Sequence, residues 1–512
     1  MRLPKRGEPS PAPHLPTTLF HLRNLLSVCF LKGAGSTPSF HHLLIPNMLE
    51  TDLIIIGAGP GGYETAIHAA KAGLKTVVIE KGRVGGTCLN VGCIPTKCLC
   101  KNAEVIETLH SAERMGIVGL RFDGVDMQKV QERKNEVVST LVSGIKGLFK
   151  ASGVISVKGT AQFKDAHTVV VADAKDNDGN ATETEYTAPN IIIATGSITK
   201  FLPIEGKDLP KVLTSTEILD LDYVPKRLTI IGGGVIGMEF ASIFHAFGSE
   251  VTVLEFCKEI LPNFDSDIAK RLKQSLRQKG INIINNAAVN QITDESDHYS
   301  VGYLLKDQQQ SVDADIVLMA VGRTANLASL NLADIGIQTD RRGIITDDDL
   351  RTNIPGIWAV GDVNGKCQLA HAASFQGERV LQLLLGKPAT INLQIVPAAV
   401  FTNPEASMVG LTAEQCKAQG ISAKAHKAFF RANGKALAMD ETDGLVKILT
   451  DTEGRILGCH ILGPHAADLI QEVATLMDAA QSKGTAATLQ DICNAIHAHP
   501  TLGEVVLNAA QA

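Results

Sequence analysis

Two cysteines with four residues between them carry the clearest chemistry of the chain: Cys88 and Cys93, in the segment GGTCLNVGCIPTK at residues 85–97. Five steps along a regular helix rise about 7.5 Å, more than the roughly 6.8 Å between Cα atoms that a disulfide normally tolerates. The spacing therefore predicts an irregular turn. Gly92 relaxes the backbone limits there, and Pro95 suits the first turn of a following helix. A thiolate in that turn would have a lowered pKa because of the helix dipole.

Two further cysteines, Cys98 and Cys100, leave a second interpretation open, a structural zinc site made of all four. Paired zinc ligands usually have two to four residues between them, so this spacing is poor. The ten cysteines of the chain form no regular disulfide framework, which is typical of a reducing compartment, where a close pair is catalytic or metal-binding. We therefore favour a redox-active pair, expect no metal ion, and interpret Cys98 and Cys100 as small buried helix residues.

An internal duplication indicates the elements that would position this pair. The sequences LIIIGAGPGG at residues 53–62 and LTIIGGGVIG at residues 228–237 lie 175 positions apart. Each copy predicts a strand, a G-x-G-x-x-G turn and a helix. The motif glycines are Gly57, Gly59 and Gly62 in the first copy and Gly232, Gly234 and Gly237 in the second.

The two copies also continue in the same register. A glycine, Gly73 or Gly248, follows where a helix of ordinary length takes a left-handed cap, and a second apolar strand ends on an acid, Glu80 or Glu255. In such units the glycines let the backbone approach a pyrophosphate, the helix N-terminus faces the phosphates, and the acid accepts hydrogen bonds from ribose hydroxyls. The duplication predicts two dinucleotide-binding βαβ units. A purely structural role in tight turns is the alternative.

Length and composition limit the fold class. A chain of 512 residues is too long for one hydrophobic core and implies about three or four domains. It has 45% hydrophobic and 20% charged residues and a formal net charge of −6, so nothing favours disorder, a coiled coil or a nucleic-acid partner. We expect an α/β protein in which two Rossmann-like domains are the main units.

Residues 1–47 differ in composition from the rest of the chain, with seven prolines, five basic residues and one acid. Their apolar run at residues 25–31 is far shorter than the roughly 20 residues that span a bilayer, so we expect no membrane helix. Three interpretations stay open: a mitochondrial-type transit segment, a signal peptide without a clear cleavage site, or a stretch before a true start at Met48. We expect a cytoplasmic protein, or a mitochondrial matrix protein if the transit interpretation holds.

The segment GGTCLNVGCIPTK resembles the most specific motif of the flavin-linked disulfide reductase family, and the resemblance extends from Met48 to Ala512. It implies that the first glycine motif binds FAD and the second binds the nicotinamide cofactor. The residues expected at FAD are Gly57, Gly59, Gly62, Glu80, Lys97, Gly159, Thr195, Gly196, Ser197, Asp362 and Ala370. The residues expected at the nicotinamide cofactor are Gly232, Gly234, Gly237, Glu239, Glu255, Val289 and Gly322, with Glu239 paired to Lys97.

The resemblance also implies a domain order. An FAD-binding domain would cover residues 48–198, an NAD-binding domain 199–323, a central segment that completes the flavin site 324–392, and an α+β dimerisation domain 393–512. The C-terminal segment HAHPTLGE resembles the part of the family that carries the active-site base. By this resemblance His499 is the base, Glu504 orients its imidazole and His497 is supporting structure. We expect a homodimer in which His499 of one subunit serves the cysteine pair of the other.

Within the family, FRANGKA at residues 430–436 and the AHAHP sequence most resemble the branch that oxidises dihydrolipoamide. This implies lipoyl domains of 2-oxoacid dehydrogenase or glycine cleavage complexes as partners. Enzymes similar to glutathione reductase are the alternative, but they normally take NADP, whose 2′-phosphate the Glu255 carboxylate would repel. Mercuric reductases carry a C-terminal cysteine pair that this chain lacks. Residues 374–376 depart from a stretch that is often acidic in the family.

A flavin-binding redox sensor without turnover is the alternative of a different class. The pairing of His499 with Glu504 argues against a sensor, because a sensor needs no base for an external dithiol.

Overall fold

The structure is a computed structural model that describes residues 48–176, 178–182 and 184–512. The interpretations of residues 1–47, and with them the choice between cytoplasm and mitochondrial matrix, lie outside the described residues. No helix in the described part of the chain is both long and apolar enough to cross a membrane.

The first region folds around an apolar parallel strand whose four residues are all buried, as is typical of a strand covered on both faces. Its strands are β1 (Met48–Glu50), β2 (Leu53–Ile56), β3 (Thr76–Glu80), β4 (Ile155–Phe163), β5 (Thr168–Lys175), β6 (Glu185–Thr187), β7 (Asn190–Ile193) and β8 (Ser197–Thr199). Its helices are α1 (Pro60–Lys71), α2 (Gly86–Val91), α3 (Cys93–Ser111) and α4 (Met127–Ser152). Strand β2 lies between β3 and β7 and is parallel to both, so the turn after it opens at the carboxyl edge of the sheet.

The second region repeats this plan. Its strands are β9 (Val212–Leu213), β10 (Arg227–Ile231), β11 (Glu250–Glu255), β12 (Asn282–Asn285), β13 (Ala288–Asp294), β14 (Tyr299–Leu305), β15 (Gln308–Ala314), β16 (Ile316–Met319) and β17 (Arg323–Ala325). Its helices are α5 (Val235–Phe247) and α6 (Ser266–Lys279). A parallel sheet has the order β12-β11-β10-β16-β9, and β13 to β15 form a separate antiparallel sheet. Strand β17 pairs with β8 and returns the chain to the first region.

The chain then completes the first region and enters an α+β unit. Strand β18 (Ile357–Ala359) pairs with β7, which completes a first sheet ordered β1-β6-β5-β4-β3-β2-β7-β18 among the described residues. Helix α7 (Ala370–Leu384) follows. The remaining strands are β19 (Ala398–Val400), β20 (Glu405–Gly410), β21 (Lys424–Phe429), β22 (Leu445–Thr450) and β23 (Ile456–Gly463). The remaining helices are α8 (Ala413–Ala418), α9 (Gly434–Met439), α10 (Ala466–Gln481), α11 (Leu489–Asn494) and α12 (Glu504–Ala510).

This C-terminal unit is an antiparallel sheet, ordered β19-β20-β23-β22-β21, and its apolar side chains share one core with those of α10 and α12. The predicted fold class, two Rossmann-like units and an α+β C-terminal domain, is confirmed. The boundaries at residues 198, 323 and 392 stay a prediction. Both predicted left-handed glycines are confirmed, since Gly73 has φ +95° and Gly248 has φ +108°.

Candidate active site

The two glycine turns have the same backbone geometry. Gly57 has φ +104° and Gly232 has φ +111°, values that side chains rarely allow. A Cβ at Gly57 would overlap the carbonyl oxygen of Ala194, and a Cβ at Gly232 would overlap that of Ala320. The turns therefore require glycine, and the absence of side chains on these glycines lets a pyrophosphate approach the N-termini of α1 and α5.

The acids at the tips of β3 and β11 also match bond for bond. Glu80 accepts hydrogen bonds from the backbone N–H groups of Ala58 and Gly82, both at 2.7 Å. In the second copy, Glu255 accepts the equivalent hydrogen bonds, from Gly233 N at 2.5 Å and from Cys257 N at 2.6 Å. These bonds fix each carboxylate beside its own glycine turn, where a ribose bound at that turn would reach it.

A cavity of about 2420 Å³ joins the two units. Ligand pockets for single small molecules usually measure roughly 300 to 1,000 Å³, so this cavity has room for two dinucleotides. The predicted residues that line it are Gly57, Gly59, Glu80, Cys88, Cys93, Lys97, Gly159, Thr195, Gly196, Ser197, Gly232, Gly234, Glu239, Glu255, Val289, Gly322, Asp362 and Ala370. The third glycines, Gly62 and Gly237, are instead buried in α1 and α5, where each would clash with its own turn if it had a Cβ.

The predicted irregular turn between the cysteines is confirmed. Helix α2 contains Cys88 and ends at Val91, Gly92 adopts a non-helical conformation, and α3 begins at Cys93. A Cβ at Gly92 would approach the carbonyl oxygen of Thr87 to 2.8 Å, so glycine allows this close fold-back. The break in the helix brings the two thiols to the same part of the cavity wall.

The two thiols are free and share a hydrogen bond. The Cys88 thiol donates to Cys93, which lowers the pKa of Cys93 to about 7 against the opposing effect of burial, and the nearby Lys97 ammonium lowers it further. The same hydrogen bond, together with burial, raises the pKa of Cys88. Of the two sulfurs, Cys93 is therefore the one on which the thiolate form is favoured.

Lys97 lies one helical turn after Cys93 and ties three regions together. Its Nζ lies 2.9 Å from Oε1 of Glu239 on α5 and 4.2 Å from the ring centroid of Phe401. The backbone N–H of Phe401 donates to the same Oε1 at 3.0 Å. Burial would lower the pKa of Lys97, but the Glu239 carboxylate outweighs it and raises that pKa. The ammonium therefore stays charged beside the thiol pair.

A second polar group lies at Asp362. Ser197 donates through Oγ to Oδ2 of Asp362 at 2.5 Å. Arg323 donates through Nε to Ser197 Oγ at 2.7 Å and through Nη2 to the Ser197 carbonyl at 2.6 Å. Burial lowers the pKa of Arg323, an effect that Asp362 opposes. Arg323 directly follows Gly322, which was expected at the nicotinamide cofactor, but Arg323 itself was not among the predicted residues.

The departure at residues 374–376 has a structural account at one position. Gln376 is buried, and its Oε1 accepts hydrogen bonds from Gly361 N and from Asn364 Nδ2, both at 2.8 Å. The amide oxygen thus holds the turn that presents Asp362, as a carboxylate oxygen would. Phe375 instead is exposed and lines the cavity.

The histidine predicted as the base forms a dyad at the start of α12. Nδ1 of His499 lies 2.9 Å from Oε1 of Glu504, and the Thr501 N–H donates to Oε2 of Glu504 at 2.9 Å. The pKa of Glu504 is lowered by the Thr501 N–H and by His499. The His499 side chain is 78% exposed and does not line the cavity of its own chain. His497 is largely buried and bonded to Glu472.

The zinc interpretation finds no geometric support in the part of the chain that the structure describes. That part contains no group of three or more His, Cys, Asp or Glu side chains that could hold a metal ion. Cys98 is buried, and Cys100 donates to the Phe401 carbonyl at 3.5 Å between S and O.

Two dinucleotide folds, a thiol pair between them and an α+β C-terminal unit define a flavoprotein that exchanges electrons between dithiols and a nicotinamide cofactor. The chain belongs to the pyridine nucleotide-disulphide oxidoreductase family, which matches residues 51–377, and the dimerisation domain of that family matches residues 396–510. The protein is an NAD-dependent oxidoreductase with FAD as its cofactor, and its C-terminal domain makes it a homodimer.

Two of its relatives are the dihydrolipoyl dehydrogenases of Geobacillus stearothermophilus and Bacillus subtilis (strain 168). Each is 42% identical to this chain, over 465 and 466 residues, in alignments that cover 90% of this chain and 96% of the relative. Among solved structures, the Cu(II) complex of the HOCl-induced flavoprotein disulfide reductase RclA from Escherichia coli superposes with a TM-score of 0.78. It is 32% identical, and the match covers 90% of this chain and 99% of that one.

Proposed function

We propose that this protein oxidises protein-bound dihydrolipoamide to lipoamide with NAD as the electron acceptor. The observation that carries the proposal is the Cys88–Cys93 pair beside the Lys97 ammonium, in one cavity with both glycine turns. Three relatives that match over 96% of their own length are dihydrolipoyl dehydrogenases, which supports the dithiol as substrate.

The residues of the first unit fit FAD. The glycines of the turn leave room for a pyrophosphate, Glu80 is held at the tip of β3 for a ribose, and Asp362 lines the cavity beside the first sheet. When bound, FAD would accept the electron pair of the reduced cysteines and pass it to NAD as a hydride. The second unit, with Glu255 at the tip of β11, would bind NAD.

The chain's own residues would carry the thiol exchange. His499 of the partner subunit takes the proton from one dihydrolipoyl thiol, and that thiolate attacks Sγ of Cys88 in the oxidised pair. The S–S bond breaks, a mixed disulfide forms with Cys88, and Cys93 leaves as the thiolate. The second dihydrolipoyl sulfur then attacks the substrate sulfur of the mixed disulfide and displaces Cys88, its proton passes to the departing Cys88 sulfur, and the lipoyl disulfide closes. Both cysteines end reduced, and two electrons have entered the enzyme.

Lys97 would stabilise the negative charge on the sulfur of Cys93. A cysteine leaves and reacts as its thiolate, and the Lys97 ammonium, kept charged by Glu239, stabilises negative charge on Cys93. Because Cys88 keeps its proton in the reduced pair, the negative charge lies on the sulfur of Cys93, whose pKa is lowered.

The proposed partners are lipoyl domains of 2-oxoacid dehydrogenase or glycine cleavage complexes, and a cytoplasmic location is part of the proposal. A lipoyl group on a swinging side chain would enter this cavity near Phe375, which lines it and is exposed. The Phe375 side chain is apolar, as is the hydrocarbon arm of a lipoyl group.

Steady-state turnover tests the proposal directly. FAD-loaded protein should reduce NAD with free dihydrolipoamide and, at lower substrate concentration, with a lipoylated domain. The matched arm offers NADPH with glutathione disulfide, the reaction of the alternative branch. Turnover in the second arm alone would assign the chain to that branch, and turnover in neither arm would leave the redox-sensor interpretation.

Glu255 offers a test of the nicotinamide choice within this function. Charge-assisted hydrogen bonds are worth about 1.5 to 3 kcal/mol, or roughly ten- to a hundredfold in affinity. Glu255→Ala should therefore weaken NAD binding by about that factor and narrow the gap between NAD and NADP. An unchanged preference would mean that another residue discriminates between the two cofactors.

A further inference from the structure

An exposed phenylalanine follows Glu255 at the nucleotide end of the cavity. Phe256 is 75% exposed, yet it lines the same cavity as Gly232, Gly234 and Glu255. An apolar side chain that is exposed singly on a protein surface is ordinary. One at the wall of a ligand cavity, beside the acid expected to bind a ribose, is in the position of a ligand contact.

The backbone on both sides of Phe256 is held in place. Cys257 N donates to Oε1 of Glu255 at 2.6 Å, and Ala287 N donates to the Glu255 carbonyl at 2.9 Å. On the other side, Asn286 N donates to the Cys257 carbonyl at 3.2 Å. The ring is thus presented from a fixed backbone, so its contact with a ligand requires no ordering of the surrounding loop.

The first dinucleotide-binding unit has a different residue at the position equivalent to Phe256. Lys81 follows Glu80 in that copy and also lines the cavity. The acids make the same backbone hydrogen bonds in both copies, so the two tips differ in the side chain that follows the acid. A lysine there offers a charge, whereas Phe256 offers an aromatic face.

We propose that Phe256 stacks on the adenine of the nicotinamide dinucleotide and sets the affinity for that half of the molecule. The inference rests on the proposed function, in which NAD binds at the second glycine turn. Glu255 holds the adenosine ribose at the tip of β11, so the base on that ribose lies beside the residues that flank the tip. Val289, which also lines this cavity, supplies further apolar surface for the base.

Equilibrium binding of fragments to the FAD-loaded dimer separates the adenine half from the nicotinamide half. ADP-ribose carries the adenine and no nicotinamide, and reduced nicotinamide mononucleotide carries the nicotinamide and no adenine. Stacking of a base on an aromatic ring is typically worth enough for about a tenfold change in affinity. Phe256→Ala should therefore weaken ADP-ribose about tenfold in calorimetry, and Phe256→Trp should restore the binding. The kcat/KM for reduced nicotinamide mononucleotide should be the same in all three proteins.

Phe201→Ala is the matched control, since Phe201 is 43% exposed and does not line the cavity. It should bind ADP-ribose as the wild type does. Unchanged ADP-ribose binding by Phe256→Ala, or an equal loss with both fragments, would overturn the proposal. Binding of ADP-ribose involves no dithiol, so failure of dihydrolipoamide turnover would refute the proposed function and leave this test intact.

Discussion

The thiol pair and the histidine dyad differ in their position relative to the cavity of their own chain. Cys88 and Cys93 lie in the cavity wall, hydrogen-bonded to each other, with the Lys97 ammonium beside them. His499 lies 2.9 Å from Glu504, but its side chain is 78% exposed and lies outside its own chain's cavity. We infer that the electron-transfer half of the site is built by one subunit, whereas the proton-transfer half needs the second subunit of the dimer.

Removal of either sulfur should have the largest effect, because the electron pair has no other route. Cys88→Ser and Cys93→Ser should each reduce dithiol turnover to background, while the FAD absorption of the purified protein stays unchanged, since neither side chain holds the cofactor. In the reduced wild type, Cys93 should give a charge-transfer absorption with oxidised flavin. A band that survives in Cys93→Ser and disappears in Cys88→Ser would reverse the two roles.

Removal of the base should cost less, because the sulfur chemistry remains possible without it. General-base catalysis is worth roughly 10²- to 10⁴-fold, so His499→Ala should lower kcat/KM for dihydrolipoamide by a factor in that range. Reduction of a one-electron acceptor by NADH involves no dithiol and should be retained. Equal losses in the two assays would mean that His499 supports the fold and does not act on the dithiol.

Mixing two inactive chains tests directly whether the site is shared. Random re-pairing of Cys88→Ser with His499→Ala makes about half of the dimers mixed, and each mixed dimer has one intact pair facing one intact base. Activity should return to about a quarter of the wild-type value. Differential tags would verify that mixed dimers have formed. If such dimers are no more active than either parent, the base acts within its own subunit, and one chain builds both halves of the site.

The smallest expected effect is a shift in the pH at which the Cys93 thiolate of the reduced enzyme forms. Cys93 has a pKa lowered to about 7, so the thiolate and its charge-transfer band should be present above that pH and lost as the pH falls through it. Lys97→Met should move the midpoint upward, since the ammonium favours the thiolate. His499→Ala should also move it upward if the partner's imidazolium lies near the sulfur. If His499→Ala leaves the midpoint unchanged, the base lies too far from Cys93 for proton exchange.

The local parts of this site were predictable because they depend on neighbours in sequence. Gly57 and Gly232 follow buried strands and precede helices, and only glycine fits the positive φ of that turn. The irregular turn at Gly92 followed from the spacing of the cysteines alone. The sequence also shows Phe256 beside Glu255. It does not show that Phe256 is exposed or that it lines the cavity.

The parts that escaped prediction depend on tertiary contacts. Arg323, Gln376 and Phe401 each take part in the site through a hydrogen bond to a group that tertiary folding brings near. Their residue types are ordinary, and no spacing marks them. The role of Gln376 depends on burial, which places its amide oxygen against the Gly361 turn.

The sequence by itself determined the two strand, turn and helix units, their equivalent acids and the break between the cysteines, because each of these depends on backbone limits over a few neighbouring residues. The resemblance to the family implied that Lys97 pairs with Glu239, but only the tertiary structure decided that Phe401 joins them at the same carboxylate and that His499 lies outside the cavity of its own chain. These contacts join residues more than a hundred positions apart. Such contacts are set by how apolar faces pack across the whole fold, which no local pattern records.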